Sequence, residues 1–250
     1  MVEPRAPRLS RPIFLLGSER SGTNLMRAIM GSHPNVDAPA PVHLLLTFAS
    51  RLPDYGDLGE AENFRRLCEH MATSLHNPIF KWTSRLEVDA LEAAAPGHTF
   101  MELFDHVYAT EAESNGRARV FFKENDTYSY AWMLYHHYHD AKFIYLARDG
   151  RDVVSSWLES PTTLTSLTQT AHDWSREQRQ GLLFHSMLQG SGRVLGVRYE
   201  ELTSQPERTV RALCDFIGED FVPEMLEFHK RKTVRESAQS INAWRNIARP

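Results

Sequence analysis

Three features of the chain predict an α/β fold, a single-domain three-layer arrangement with a central parallel sheet flanked by helices. Short unbroken apolar runs alternate with segments of helical period. Polar turns join one to the next, and each run has a length that suits its element. Pro12-Ile13-Phe14-Leu15-Leu16-Gly17 comes first, and a continuous apolar run closed by glycine is what a strand buried on both faces requires. Thr23–Ser32 follows with Leu25, Met26, Ile29 and Met30 on one helical face, stopping near Gly31 before Pro34. Residues 57–76 and 99–113 mix charged and apolar positions at helical period. Val120–Lys123 reads as a second strand, Thr127–Tyr138 as a helix, and Lys142–Ala147 as the plainest strand after the first. Arg151–Leu158 begins another helix, and Leu167–Leu188 is a long amphipathic one. Arg193–Arg198 is the last strand, with a helix from Pro206 to Ile217 behind it.

Bulk composition permits such a core. The chain has 250 residues, 42% hydrophobic and 24% charged, enough for one large domain without disulfides or a structural metal. It divides into a flexible segment, 1–11, and a domain over 12–250. Met1–Arg11 is charged and proline-bearing and lacks an apolar stretch of signal-peptide type. No run approaches the ~18 apolar residues of a membrane span, so a soluble, cytoplasmic protein is expected. Cys214 sits in an apolar helical pattern and reads as a core thiol. With Cys68 it makes no disulfide framework, which fits a reducing compartment. With 28 basic and 32 acidic residues the net charge is −4, which excludes a nucleic-acid wrapper and leaves only local anion pockets.

Two such pockets are expected where strands hand over to helices. In an open parallel sheet, ligands sit beyond the carboxyl ends of the strands. Gly17-Ser18-Glu19-Arg20-Ser21-Gly22-Thr23 occupies the first handover. A glycine-bounded turn there aims backbone N–H groups at the positive end of a helix dipole, a ready site for phosphate or sulfate. Arg20 adds a positive charge, and Ser21 and Thr23 add hydroxyls. The spacing of Gly17 and Gly22 matches the nucleotide loop G-x-x-x-x-G-K-[ST], but Thr23 stands where that loop has lysine. A kinase would need this lysine on its phosphates. At the second handover Arg148 ends a strand, where it can make two parallel hydrogen bonds to a phosphate, and Ser156 follows within the next helix. Arg151 and Asp152 are expected to pair with one another or with neighbours.

Arg20-Ser21-Gly22-Thr23-Asn24-Leu25-Met26-Arg27 with His33-Pro34-Asn35-Val36 resembles the 5′-phosphosulfate loop of the sulfotransferases that use 3′-phosphoadenosine 5′-phosphosulfate (PAPS). It is most similar to the branch holding the tyrosylprotein sulfotransferases and many bacterial enzymes. The resemblance implies a P-loop-like fold and a loop, Arg20 to Asn24, that holds the phosphosulfate, with Arg20 stabilising charge during transfer. Arg148 and Ser156 resemble the 3′-phosphate motif, which separates this donor from ATP. Lys123 matches a strand-end lysine that lies near the bridging oxygen, although Glu124-Asn125 replaces the usual Thr-Pro or Asp-Pro. Val197-Arg198-Tyr199-Glu200-Glu201-Leu202 resembles a segment whose tyrosine lies near adenine. Ser160 stands where the tyrosylprotein branch has a further arginine. Near Trp244 the expected preceding basic residue is Ala243, with Arg245 after it. The basic run holding Lys230, Arg231, Lys232 and Arg235 reads as a solvated face.

An acceptor hydroxyl needs a base, and of twelve histidines His43 is the first candidate. A proline-rich stretch leads to it from the first loop, and bacterial relatives acting on alcohols have a similarly placed histidine, commonly after a glutamate; here Val42 precedes it. Asp37 and Glu124 are the reserves. Ala40 and Pro41 replace the glutamates of the tyrosylprotein enzymes, which favours an alcohol or phenol on a small molecule, lipid, carbohydrate or natural product over peptide tyrosine. His136, His137 and His139 lack partners for a metal site, and no metal is expected. The rivals are a kinase or NTPase with an altered loop, and a non-catalytic nucleotide-binding protein on the same fold.

Overall fold

The computed structural model describes residues 8–159, 166–231 and 234–235. Among them five strands, Ile13–Leu16 (β1), Val36–Asp37 (β2), Arg119–Phe122 (β3), Lys142–Ala147 (β4) and Val194–Arg198 (β5), lie parallel in the order β2-β3-β1-β4-β5. Phe14 stands opposite Phe122 on one neighbour and Phe143 on the other, so the centre of the sheet is paired on both edges. All four residues of β1 are buried, as its unbroken apolar run requires.

The described helices are Thr23–Met30 (α1), Leu44–Phe48 (α2), Ala61–Leu75 (α3), Val88–Ala94 (α4), Phe100–Ser114 (α5), Thr127–His137 (α6), Gly150–Leu158 (α7), Leu167–Met187 (α8), Tyr199–Ser204 (α9) and Pro206–Ile217 (α10). Side chains alternate across each strand, and the two faces build two separate cores. Phe14, Leu16, Phe122 and Phe143 face α3, α5, α6 and α8 through Phe64, Phe104, Leu134 and Phe184. Ile13, Leu15, Phe121 and Ile144 face α1 and α10 through Met26, Ile29, Val210 and Leu213. Cys214 belongs to this second core and Cys68 to the first, both as free thiols. No helix among the described residues is long and apolar enough to cross a membrane.

The expected strands and long helices are present within a residue or two of their bounds, apart from the helix expected over 57–76, which begins four residues later at Ala61. The unexpected elements share a cause. β2 has only two residues, too few for a period to show, and it exists because main-chain groups of Val36 and Asp37 pair with Arg119 and Val120. α9 starts directly at the end of β5 with no turn residue between them. α2 and α4 run for five and seven residues, below the length at which helical spacing repeats. β3 begins one residue early because Arg119 is buried yet fully employed. Its Nε and Nη2 donate to the Arg11 carbonyl, and its Nη1 to the Ile217 carbonyl and, at 2.9 Å, to Glu219 Oε1. This guanidinium ties the sheet to the end of α10 and to the chain entering β1. Replacing Arg119 with Met strands the Arg11 carbonyl and leaves the Ile217 carbonyl and the Glu219 carboxylate with one donor each, Arg11 and Asn35. The expected loss is about 3 kcal/mol in a urea titration, and an unchanged midpoint would show that the knot contributes nothing.

Candidate active site

The turn from β1 to α1 is shaped by backbone conformations that few residues adopt. Arg20 and Gly22 have φ of 66° and 92°, and a Cβ at Gly22 would lie 2.3 Å from Tyr199 Cδ2, so only glycine fits there. Gly22 begins α1 without a side-chain cap, and the first turn holds no acid. The positive end of the helix dipole is therefore not offset by any local carboxylate. Ser18 is buried, its carbonyl accepting from Ser21 N–H and its Oγ from Gln178 on α8.

The second turn, from β4 to α7, lands against the first. Arg148 Nη1 donates to the main-chain oxygen of Arg20 at 2.7 Å, and Arg20 Nε donates to Ser156 Oγ at 3.1 Å. The Arg148 guanidinium lies 4.3 Å over the Tyr199 ring, which closes the group from the β5 side. Arg20, Arg148, Ser156 and Tyr199, read separately from the sequence, thus form one contiguous cluster at the carboxyl ends of three strands. Asp149 caps α7 and pairs with Arg151 at 2.6 Å. Arg151 therefore pairs backward with the cap rather than forward with Asp152, because the first turn of a helix brings residue N2 back over the cap.

Several polar atoms in this cluster are buried and have no partner among the described residues: Ser21 Oγ, Asn24 Oδ1 and Arg148 Nε. Such orphans are uncommon in folded proteins, and each leaves a polar atom open to a partner. Two positive side chains, two hydroxyls and an uncapped helix start, at the ends of adjacent strands, fit a ligand with two separate anionic groups.

Lys123 and Glu124, adjacent at the end of β3, serve different partners. Lys123 is 9% exposed, and its Nζ donates to Asn125 Oδ1 at 2.7 Å; Asn125 in turn donates to Glu19. It is thus neither paired with Glu124 nor turned to water. Burial lowers its pKa to about 8, against the opposing pull of Glu19. Glu124 accepts from Tyr108 Oη, and its Oε2 lies 3.9 Å from His43 Nδ1. Burial raises Glu124 to about 7, opposed chiefly by the Tyr108 hydrogen bond. His43, with φ of 58° at the start of α2, is held near 4 by burial and then by the charge of Lys123. Asp37 is raised to about 6 by burial and accepts from Asn115 at 3.4 Å.

Two cavities flank this array. One, about 420 Å³, is lined by Ser18, Glu19, Asn125, Tyr128 and Trp174. The other, about 450 Å³, opens on His43 and Asp37. Lys123 is in electrostatic reach of Glu19 in the first and of Arg27 and His43 in the second. Glu19, Asn125, Tyr108 and Gln178 were not singled out from the sequence. Each acts through a partner at least 16 positions away, apart from the Asn125–Lys123 bond, so only Asn125, two residues past Lys123, carried any local signal. Ser160, Lys232, Ala243, Trp244 and Arg245 lie outside the described residues.

Fold and turns together define a nucleotide-loop α/β protein in which two strand-to-helix turns meet at one rim. Residues 12–223 match the sulfotransferase family, and the chain belongs to it. A relative from Caenorhabditis briggsae, named among the protein-tyrosine sulfotransferases, is 25% identical over 229 residues, which is 87% of this chain and 69% of that one. Protein-tyrosine sulfotransferase 1 of Danio rerio is 23% identical over 213 residues, 82% of this chain but only 52% of its own length. In structure the chain is similar to the sulfotransferase domain of the Synechococcus PCC 7002 olefin synthase, with a TM-score of 0.59 and 23% identity over 92% of this chain and 81% of that one. These likenesses agree with the three-layer parallel architecture.

The buried carboxyl gives a test. A group whose pKa is raised on folding contributes stability that is complete below its unfolded value, 4.5 here, and lost as pH rises through about 7. Glu124→Gln is therefore expected to gain up to about 3 kcal/mol over the parent at pH 8 and nothing at pH 4.5. Equal denaturation midpoints at both pH values would contradict the burial argument.

Proposed function

We propose that this protein is an enzyme that transfers a sulfuryl group from PAPS to an acceptor hydroxyl by in-line displacement, with His43 as general base. The observation that carries this reading is the joining of the two anion loops, Arg148 Nη1 to the Arg20 carbonyl and Arg20 Nε to Ser156 Oγ. A nucleotide with phosphates at both ends needs two anion sites within one molecule's reach, and a triphosphate loop alone does not supply the second. Membership of the sulfotransferase family supports the same chemistry.

In this reading Ser21, Gly22, Thr23 and Asn24 hold the 5′-phosphosulfate with the N–H groups at the start of α1. Arg148 and Ser156 hold the 3′-phosphate, and Tyr199 carries the adenosine side. The acceptor oxygen forms its bond to sulfur as the sulfur–oxygen bond to the 5′-phosphate breaks, and adenosine 3′,5′-bisphosphate leaves. Arg20 and Lys123 face the charge that grows on the bridging oxygen. The acceptor proton passes to His43. A histidine held near 4 is neutral at physiological pH, as a base must be. An anionic donor placed beside it raises its proton affinity toward the value that suits proton transfer. Glu124, 3.9 Å from Nδ1, stands where a carboxylate stabilises the imidazolium that forms. The acceptor class is an alcohol or phenol on a small molecule, lipid or carbohydrate.

Arg148→Ala removes a charged two-donor contact and is expected to weaken bisphosphate binding by about 2–3 kcal/mol in calorimetry without metal; unchanged affinity removes Arg148 from the site. His43→Ala is expected to keep that affinity and lose turnover, and full turnover would refute the base. The pH profile of kcat/KM should fall below about 4, where His43 gains its proton, and above about 8, where Lys123 loses its own. Lys123→Arg should push the alkaline limb upward, and a limb that stays in place excludes Lys123 as its source.

A further inference from the structure

The 450 Å³ cavity that opens on His43 has an unusual charge balance. Arg27, Arg117, Arg231 and Lys81 line it against two acids, Asp37 and Glu111. Glu111 is occupied in holding the adjoining loop, accepting from the main-chain N–H groups of Thr83 and Ser84 and from Ser84 Oγ. The arginines are anchored on carbonyls, Arg27 on Ala38, Arg117 on His33 and Pro34, and Arg231 on Gly31. A carbonyl fixes a guanidinium in place without cancelling its charge. Arg117 and Arg231 make no ion pair among the described residues; burial depresses Arg231, and the charge of Arg117 depresses it further against the pull of Asp37. Apolar side chains share the lining, Pro39, Pro41, Ile79, Phe80 and Trp82, with Trp82 fixed by a 2.8 Å hydrogen bond from its Nε1 to the Ala40 carbonyl. Base, apolar side chains and arginine cluster therefore share one chamber, of a size typical for small-molecule sites.

From this we infer that the acceptor is a hydroxy acid: its hydroxyl meets His43, its apolar body lies on Trp82 and Phe80, and its carboxylate is held by Arg117 and Arg231. Guanidinium groups suit a carboxylate because they offer paired donors in its own plane. Holding the part-buried Arg117 and Arg231 close together is costly for the empty protein, and a bound anion relieves that cost. The inference rests on the sulfuryl-transfer reading and deepens it by naming the acceptor class.

The test uses the full chain and a set of hydroxyaryl and hydroxyalkyl carboxylates, each matched with its methyl ester. In labelled-sulfate transfer, the acid is expected to exceed its ester in kcat/KM by tenfold or more, with the excess shrinking as salt is raised. Arg231→Gln, Arg117→Gln and the exposed Lys81→Gln should each reduce the excess while leaving ester turnover and bisphosphate affinity unchanged. Since Arg117 and Arg231 also brace the fold, Lys81→Gln keeps the test open if either fails to fold. Binding of the acids to bisphosphate-saturated protein, followed by calorimetry, gives a readout independent of turnover. Sulfation of esters and acids at equal efficiency, or an acid preference untouched by all three variants, overturns the inference and leaves the transfer reading standing. Tight bisphosphate binding without transfer to any compound of either kind overturns both.

Discussion

Everything in this molecule depends on five strands pointing the same way. A parallel arrangement puts every carboxyl end on one rim, so the turns after β1, β3, β4 and β5 meet there although they are far apart in sequence. The two cores fix that rim by clamping β1, β3 and β4 from both sides with aromatic and branched side chains. The hydrogen bond from Arg148 to the Arg20 carbonyl is the direct expression of this geometry, because it can form only when β1 and β4 are neighbours in parallel register.

The rim concentrates charge that water would otherwise screen. Lys123, Glu124 and His43 are each shifted chiefly by burial, with Glu19, Tyr108 and Lys123 respectively acting next, which places a depressed lysine, a raised carboxyl and a neutral imidazole within one small region. Such arrangements cost folding free energy and are found where chemistry needs them. The Tyr108–Glu124 bond and the Lys123–Asn125–Glu19 chain hold these groups apart in separate networks.

What could be read early, and what could not, divides along range of interaction. The handover at Gly17–Thr23 was legible because a strand, a glycine-bounded turn and a helix start are local patterns. Arg148 and Ser156 were legible for the same reason, within one strand–turn–helix unit. Glu124 was visible only as a reserve base, since nothing nearby in the chain shows that Tyr108 and His43 will meet it. β2 was invisible because two residues carry no period, whereas the pairing of Arg151 with a neighbour was expected and the cap geometry decided that the neighbour is Asp149.

Taken alone, the amino-acid order determined the alternation of strand and helix, and it pointed to two strand-to-helix turns and to His43 through local pattern and family resemblance. The tertiary structure alone decided that those loops touch, that Lys123 and Glu124 part company, and that Arg27, Arg117 and Arg231 gather beside His43. The reason is physical: periodicity and turn chemistry act along the chain, whereas burial and charge depend on neighbours that only the packed sheet brings together.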